Sequence, residues 1–560
     1  MTVISETEKR FLSGLIVFTG VFTGLVISPA VSNDPINIPK ICALIVCAAI
    51  IAGLVLAKVK VYWKLLNKKF AIVLSLFLLQ LLAVLLFSGA PFNQQFYGTF
   101  GRNTGFLAYL SLMIISVGAS LAANQITLRR IALSLVFMGT ISTLYGLLQT
   151  SGNDPIKWNN PYNAVITFLG NPNFASSFLG ICGIVSFACL LGNLKNRIVS
   201  LLLVIQISLI LFLTLRSDSQ QGVLVFASGI AIVIFIYLSK HRVFSARKFL
   251  YPYIAIAGTL GTLVFFATLK LGPLADLIYK LSVRQRGFYW RAAREMMLSN
   301  PIFGVGLDSY GDWYFAERSA NAAFHTPLVQ TNSAHNIFLD LGVSGGFPLF
   351  ILNILLSLLT LWAVIRIFRR QKDFNWVFAS LLSAWIAYQA QAIISINQLG
   401  LGVWGWILMG SLIGFEYQTR ESVSETDDKQ PRIKKRANQT SLSTTVGAVT
   451  GLVIGSVIAG QIFMTDANFR TGLASQDANK AIAAALAHPE DLNRTLQIAS
   501  ALAGNSLIPQ ANELLDHIIK KNPRSFGAWE LKYRITVPNS VQWVEAKNKL
   551  NSLNPKALIE

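Results

Sequence analysis
Residues 70–90 read FAIVLSLFLLQLLAVLLFSGA, twenty-one positions without a charge. A helix rises 1.5 Å per residue, so about 20 such residues cross the roughly 30 Å hydrocarbon core of a bilayer. The pattern recurs on both sides, near 11–31, 41–58, 106–124, 131–149, 174–192, 198–215, 221–239, 249–269, 336–365, 375–396, 401–417 and 444–463. That is about thirteen candidate spans in 560 residues. Only 13% of the chain is charged, half of the roughly 25% usual in soluble domains, which excludes a purely soluble protein. The hydrophobic share, 53%, excludes disorder for most of the chain. The expected fold class is all-α, a polytopic membrane helical bundle with a small helical tail. The first span follows Lys9 and Arg10 and is too long for a signal-peptide core, so it reads as an uncleaved anchor. Cys42, Cys47, Cys182 and Cys189 all lie in apolar runs, without metal or disulfide spacing.

The net charge of +21 is a matter of topology. One set of alternate loops holds Lys58, Lys60, Lys64, Lys68 and Lys69, then Arg129 and Arg130, Lys195 and Arg197, Lys240 to Lys248, Arg366 to Lys372, and Arg432 to Arg436. The other short loops hold only Lys40, Arg102, Lys157 and Arg216. Basic loops stay cytoplasmic, so the N-terminus is expected inside and the C-terminus outside. No polar domain is large enough to present a basic surface to nucleic acid, and no nucleic-acid partner is expected. The domains expected are a transmembrane body over 1–417 with an exterior loop at 270–335, a charged cytoplasmic linker at 418–443, a last span at 444–463 and an exterior tail at 464–560. Chemistry should therefore lie outside, at the membrane–water boundary.

The tail has a period. His488-Pro489-Glu490, Asn522-Pro523-Arg524 and Asn554-Pro555-Lys556 recur at 34 and 32 residues, each after an amphipathic stretch such as ANELLDHIIKK (511–521). This resembles tetratricopeptide repeats, whose stacked helix pairs offer a concave surface to a protein or glycan. An irregular helical tail that only adds stability is the other reading.

Several chemistries are missing from the sequence. There is no G-x-x-x-x-G-K-[ST] loop, no H-E-x-x-H and no exterior D-x-D, and the apolar cores carry almost no carboxylate. The exterior loop, by contrast, carries Arg284, Arg286, Arg291 and Arg294 within eleven residues of VRQRGFYWRAARE. On a helix Arg286, Trp290 and Arg294 share a face. Arginine forks suit phosphate oxygens, while an interfacial helix drawn to anionic headgroups is the plainer reading. His335 and Asn336 stand where this loop turns into a span. Asn332 or Ser333 is expected to cap that helix, and its positive end to favour a neutral, proton-accepting imidazole at His335. A capping histidine without chemistry is the alternative. His325 stands in loop with no helix end expected beside it. Arg102 and Arg216 also stand at exterior span ends, either snorkelling or joining Arg286 in one cationic pocket for an amphiphile with an anionic head.

Taken in order, R-x-x-x-W (Arg286–Trp290), Asn300-Pro301-Ile302-Phe303-Gly304-Val305-Gly306, Ala334-His335-Asn336 and Gly342 to Gly346 resemble the hallmark region of the O-antigen ligase and polymerase superfamily. Asn171-Pro172-Asn173 before a span is similar to another feature of such chains. Arg216-Ser217 matches the family's S-R-G element only loosely, and the thirteenth span and tail lie outside the minimal pattern. The resemblance implies a membrane glycosyltransferase of the C type in the bacterial cytoplasmic membrane, with no cofactor and no metal. It implies a glycan moved from an undecaprenyl-diphosphate carrier to a hydroxyl of a lipid, glycan or protein acceptor, with inversion. His335 would be the base, with Asp308 and Glu317 as rivals. Arg286, Arg102, Arg216 and Arg284 would hold the diphosphate, and Trp290, Tyr289 and Asn336 would support. Ligase ranks ahead of polymerase and protein O-glycosyltransferase. A transporter of a lipid-linked anion, or a scaffold acting through the tail and a protein partner, are the readings from other classes.

Overall fold
The computed structural model describes residues 5–158, 165–240, 248–424 and 442–557. Among these the regular elements are all helices, and each of the thirteen apolar stretches coincides with one. Ten helices are long and apolar enough to cross a membrane, which makes this a multi-pass membrane protein. The other three are marked by their sequences. Glu6–Leu25 opens on Glu8, Lys9 and Arg10, Phe106–Ala122 has 17 residues, and Trp376–Ile393 carries Gln389 and Gln391.

Contacts sort the connections onto two ends of the bundle. At one end the buried Glu8 pairs with Lys58 at 2.7 Å and accepts from the Thr444 hydroxyl, while Glu416 pairs with Arg366 and Arg370. The basic loops gather here; Arg242, Arg247, Arg432, Lys434, Lys435, Arg436 and most of the expected linker lie outside the described residues. At the opposite end the long loop after Leu250–Thr268, the turns near 99–104 and 394–398, and the tail meet.

Two devices shape that second end. The last long helix, Leu442–Ala474, lies against Asn37–Ala57 along Gly447, Gly451 and Gly455, where a Cβ at Gly451 would overlap the Ala49 carbonyl. Small residues at four-residue spacing let two backbones touch, which replaces the hydrophobic drive that lipid does not supply. The helix runs past the expected end at 463 because Asp466 accepts from Asn33 N at 2.7 Å, Arg470 donates to the Pro29 and Ser32 carbonyls, and Phe469 is buried. The second device is a break in Ile337–Arg370 at Gly345 and Gly346 (φ 68°). There the N-P-I-F-G-V-G segment laces into the opened turn. Val305 N donates to Val343 O, Phe347 N to Pro301 O, and the Gln80 amide to the Ile302 and Gly345 carbonyls, at 2.6–2.9 Å. A Cβ on Gly346 would strike Pro301, so both glycine motifs serve one joint.

The tail holds helices Ala478–Ala485, Leu492–Gly504, Ile508–Lys521, Phe526–Ile535 and Val541–Leu553, packed over Ile498, Leu514, Leu515 and Ile518. Two of the three recurring proline pairs, Asn522-Pro523 and Asn554-Pro555, follow helix ends, with Asn522 and Asn554 at the C-caps. The tail is pinned to the bundle. Asp491 Oδ2 accepts from Phe100 N (2.7 Å), Arg318 donates to Asn554 Oδ1 (3.1 Å), and Arg524 stacks 3.5 Å over the Trp313 ring.

Candidate functional site
His335 sits at the junction of loop and helix, in the left-handed region at φ 53°. Asn103 and Asp308 share that uncommon conformation (φ 56° and 53°), so three strained turns meet at one end of the bundle. The helix cap is Asn336, whose Oδ1 accepts from Leu339 N at 3.1 Å; it is neither Asn332 nor Ser333. Those two side chains are committed elsewhere. Ser333 Oγ accepts from His335 N (2.9 Å) and donates to Asp340 (2.7 Å), and Asn332 Oδ1 accepts from Arg102. His335 therefore stands one residue outside the helix. Asp340, on the next turn, also accepts from Ala334 N at 2.7 Å and so fixes the loop that carries the imidazole.

His335 Nδ1 lies 3.3 Å from the Ser333 carbonyl. A carbonyl only accepts, so Nδ1 carries the hydrogen and Nε2 keeps its lone pair in the neutral ring. Burial pushes the His335 pKa down to about 4, and Arg102, then Arg286, push the same way. The imidazole is thus neutral at pH 7, held so by burial and two guanidiniums.

Arg286 lies on Leu281–Ser299, three residues before Tyr289, whose ring packs on His335 at 5.3 Å between centroids. Its Nε donates to Ile394 O (3.0 Å) and its Nη1 to Ser282 O (3.3 Å). Both Arg286 and Arg102 have pKa values lowered by burial. Arg102 lines a pocket of about 190 Å³ with Asn171, Phe174, Asn397 and Gln398. Asn397 Nδ2 donates to the Tyr109 hydroxyl (3.4 Å) and Gln398 Oε1 accepts from Leu401 N (3.1 Å), while the buried Asn397 Oδ1 and Gln398 Nε2 have no partner among the described residues. The 394–398 turn holds Arg286 by Ile394 O and forms this pocket with Asn397 and Gln398, which ties the two arginines to one wall.

The remaining expected residues are spread around this centre. Arg284 is exposed, two positions from Arg286 and so on another face of the helix. Arg216 is exposed at the end of Arg197–Arg216; the next turn reaches the Asn171-Pro172-Asn173 segment, where Ser219 Oγ donates to Asn173 Oδ1 at 2.8 Å. Trp290 packs beside Phe288, Tyr289 and Met297, with its indole N–H buried. Asp308 accepts from Thr99 N (3.0 Å), Thr104 N (3.1 Å) and the Thr104 hydroxyl, clamping the turn that carries Arg102. Glu317 faces Arg524 and Lys556 of the tail, and burial raises its pKa. Arg294 pairs with Glu295 at the surface. Among the described residues no group of three or more His, Cys, Asp and Glu stands close enough to hold a metal ion.

With this geometry in view, residues 205–354 match the family described as O-antigen ligase. Over this stretch the chain is similar to that family. The match begins inside Arg197–Arg216 and ends past the glycine break, so the matched residues include Arg216, Arg286, Tyr289, His335 and Asp340. Arg102, Asn397, Gln398 and the tail are brought to these residues by the fold, from outside the match. No curated protein matches the chain. Asp340, Asn397 and Gln398 were not apparent from the sequence, where each is a polar residue beside an apolar run with no spacing that marks it.

Proposed function
We propose that this protein transfers a glycan from an undecaprenyl-diphosphate carrier to an acceptor hydroxyl at the exterior face of the bacterial cytoplasmic membrane, as a ligase of the family. One observation carries the reading. A neutral imidazole that keeps its Nε2 lone pair feels both Arg102 and Arg286, and Arg102 lines a pocket with Asn397 and Gln398. The guanidiniums hold the diphosphate and neutralise the charge that builds on it. Nε2 of His335 takes the acceptor hydroxyl proton as that oxygen attacks the anomeric carbon. The anomeric C–O bond breaks with its electron pair passing to the diphosphate, and the sugar inverts. A diphosphate stabilised in this way needs no protonating acid, and no step requires a metal or cofactor. The basic-loop asymmetry supports the orientation, with the site end outside.

The test uses purified protein with a fluorescent polyprenyl-diphosphate glycan and candidate acceptors. Wild type should release the carrier diphosphate, and His335→Ala should stop turnover while still binding donor. Normal turnover in His335→Ala would remove the base from this role. Movement of intact donor across liposomes without cleavage would make the protein a transporter.

A further inference from the structure
Between the bundle and the tail lies a second cavity, a cleft of about 330 Å³. Its bundle wall carries Phe92, Asp308, Asp312 and Asn332, and its tail wall carries Asp491 and Lys521. From these observations we infer that the cleft is the acceptor saccharide site, closed on one side by the tail, and that it takes a neutral or amino-bearing glycan. The inference rests on the glycosyl-transfer reading of the adjoining centre and names the substrate class that centre would use.

Position is the first argument. Asn332 lines the cleft and accepts from Arg102, which lines the donor-side pocket. It also stands three residues before His335, so one wall of the cleft is built from the loop that carries the base. Rigidity is the second. Arg318 to Asn554, Arg524 over Trp313, the Phe315–Phe526 ring contact at 4.5 Å and Asp491 to Phe100 N hold the two walls in register. A tail serving stability alone needs no cavity at this seam. Lining chemistry is the third. Carboxylates accept sugar hydroxyls, amides accept and donate, and Phe92, 55% exposed and stacked on Phe96, offers a ring to the C–H face of a sugar. The volume falls in the range of small-molecule sites, about 300–1,000 Å³, which suits a short saccharide rather than a folded protein. Lys521, the cation of the lining, is held by Glu490, and Arg102, Arg524 and Arg494, which face Asp308, Asp312 and Asp491, are not in the lining, so a phosphorylated acceptor is disfavoured.

The experiment measures binding, and so does not depend on turnover. The full chain in lipid nanodiscs is titrated with fluorescent neutral, amino-substituted and phosphorylated oligosaccharides. The neutral or amino probe should bind more tightly than its phosphorylated counterpart. Asn493→Trp, at an exposed position on the tail wall, should weaken that binding at least about tenfold, and Phe92→Ala about threefold or more. Donor affinity should stay within about twofold in both variants. Unchanged oligosaccharide binding in both variants, no binding of any probe by wild type, or a preference for the phosphorylated probe would each overturn the assignment. Failure of His335→Ala to block donor cleavage would instead strike the transfer chemistry and leave these titrations standing.

Discussion

Replacing Arg102 by Gln should move the acid limb of the transfer reaction, and the structure sets the direction and the bounds. In the free protein the His335 pKa is about 4 in place of the ordinary 6.5, a depression of about 2.5. At pH 5.5 the imidazole is then roughly 97% neutral, against about 9% for an unperturbed histidine. The quantity kcat/KM reports the free enzyme, so its acid limb should fall near pH 4, with a plateau above. Burial is the largest cause of the depression and Arg102 the next. Arg102→Gln removes the second and leaves the first, so the limb should rise above pH 4 and stay below 6.5. In wild type the bound diphosphate should act in the same direction, because its charge offsets both guanidiniums. The acid limb of kcat should therefore lie above that of kcat/KM. The assay is initial-rate conversion of a fluorescent polyprenyl-diphosphate glycan, with product separated by chromatography at each pH. The fold must be followed in parallel. A depressed folded pKa means that the unfolded chain takes up a proton the folded chain refuses, so His335 supports the fold above about 6.5 and erodes it as pH falls toward 4. Melting temperatures at each pH separate that loss from the kinetic limb. A wild-type kcat/KM limb near 6.5, or a limb unmoved by Arg102→Gln, would refute the assignment of His335 as a buried base between two arginines.

Arg286→Ala should weaken donor binding by about 10–100-fold, read by titration with labelled donor, as expected for one charge-assisted contact. Lys at that position should rescue only part, since it cannot reproduce the fork that bonds Ile394 O; full rescue would show that charge alone suffices. Asp340→Ala removes the acceptors of Ala334 N and Ser333 Oγ, loosening the turn beneath the imidazole. kcat should drop about 10–100-fold while donor affinity moves less than about threefold, and an unchanged kcat would end its positioning role. Gly451→Leu forces Leu442–Ala474 away from Asn37–Ala57, at about 1–3 kcal/mol for overpacking. Both the melting temperature and the protection of the tail from proteolysis should fall, and unchanged values for both would show that the seam tolerates the bulk.

Much of the protein could be read along the chain, because lipid imposes length and apolarity on any backbone that crosses it. The thirteen apolar stretches, the alternation of basic loops, the helical tail and the segment from Arg286 to Gly346 all follow from local composition or contiguous motifs. Local information misplaced the cap beside His335. Asn332, Ser333 and Asn336 are all good capping residues, and the choice fell to Asn336 because Arg102 and Asp340, distant in sequence or reached through a turn, claim the other two. The sequence likewise left Arg102, Arg216, Arg284 and Arg286 equivalent. Packing distinguished them: Arg102 and Arg286 act on His335, Arg284 stands on another helix face, and Arg216 ends a helix at the surface. The pocket amides of the 394–398 turn and the cleft under the tail have no linear signature at all, since their walls come from segments up to about 400 residues apart. By itself the sequence determined which segments are apolar enough to enter a bilayer and which polar residues stand at their ends. Only the tertiary structure decided which of those ends meet, because burial, partner geometry and the field at one imidazole depend on neighbours that the chain order does not specify.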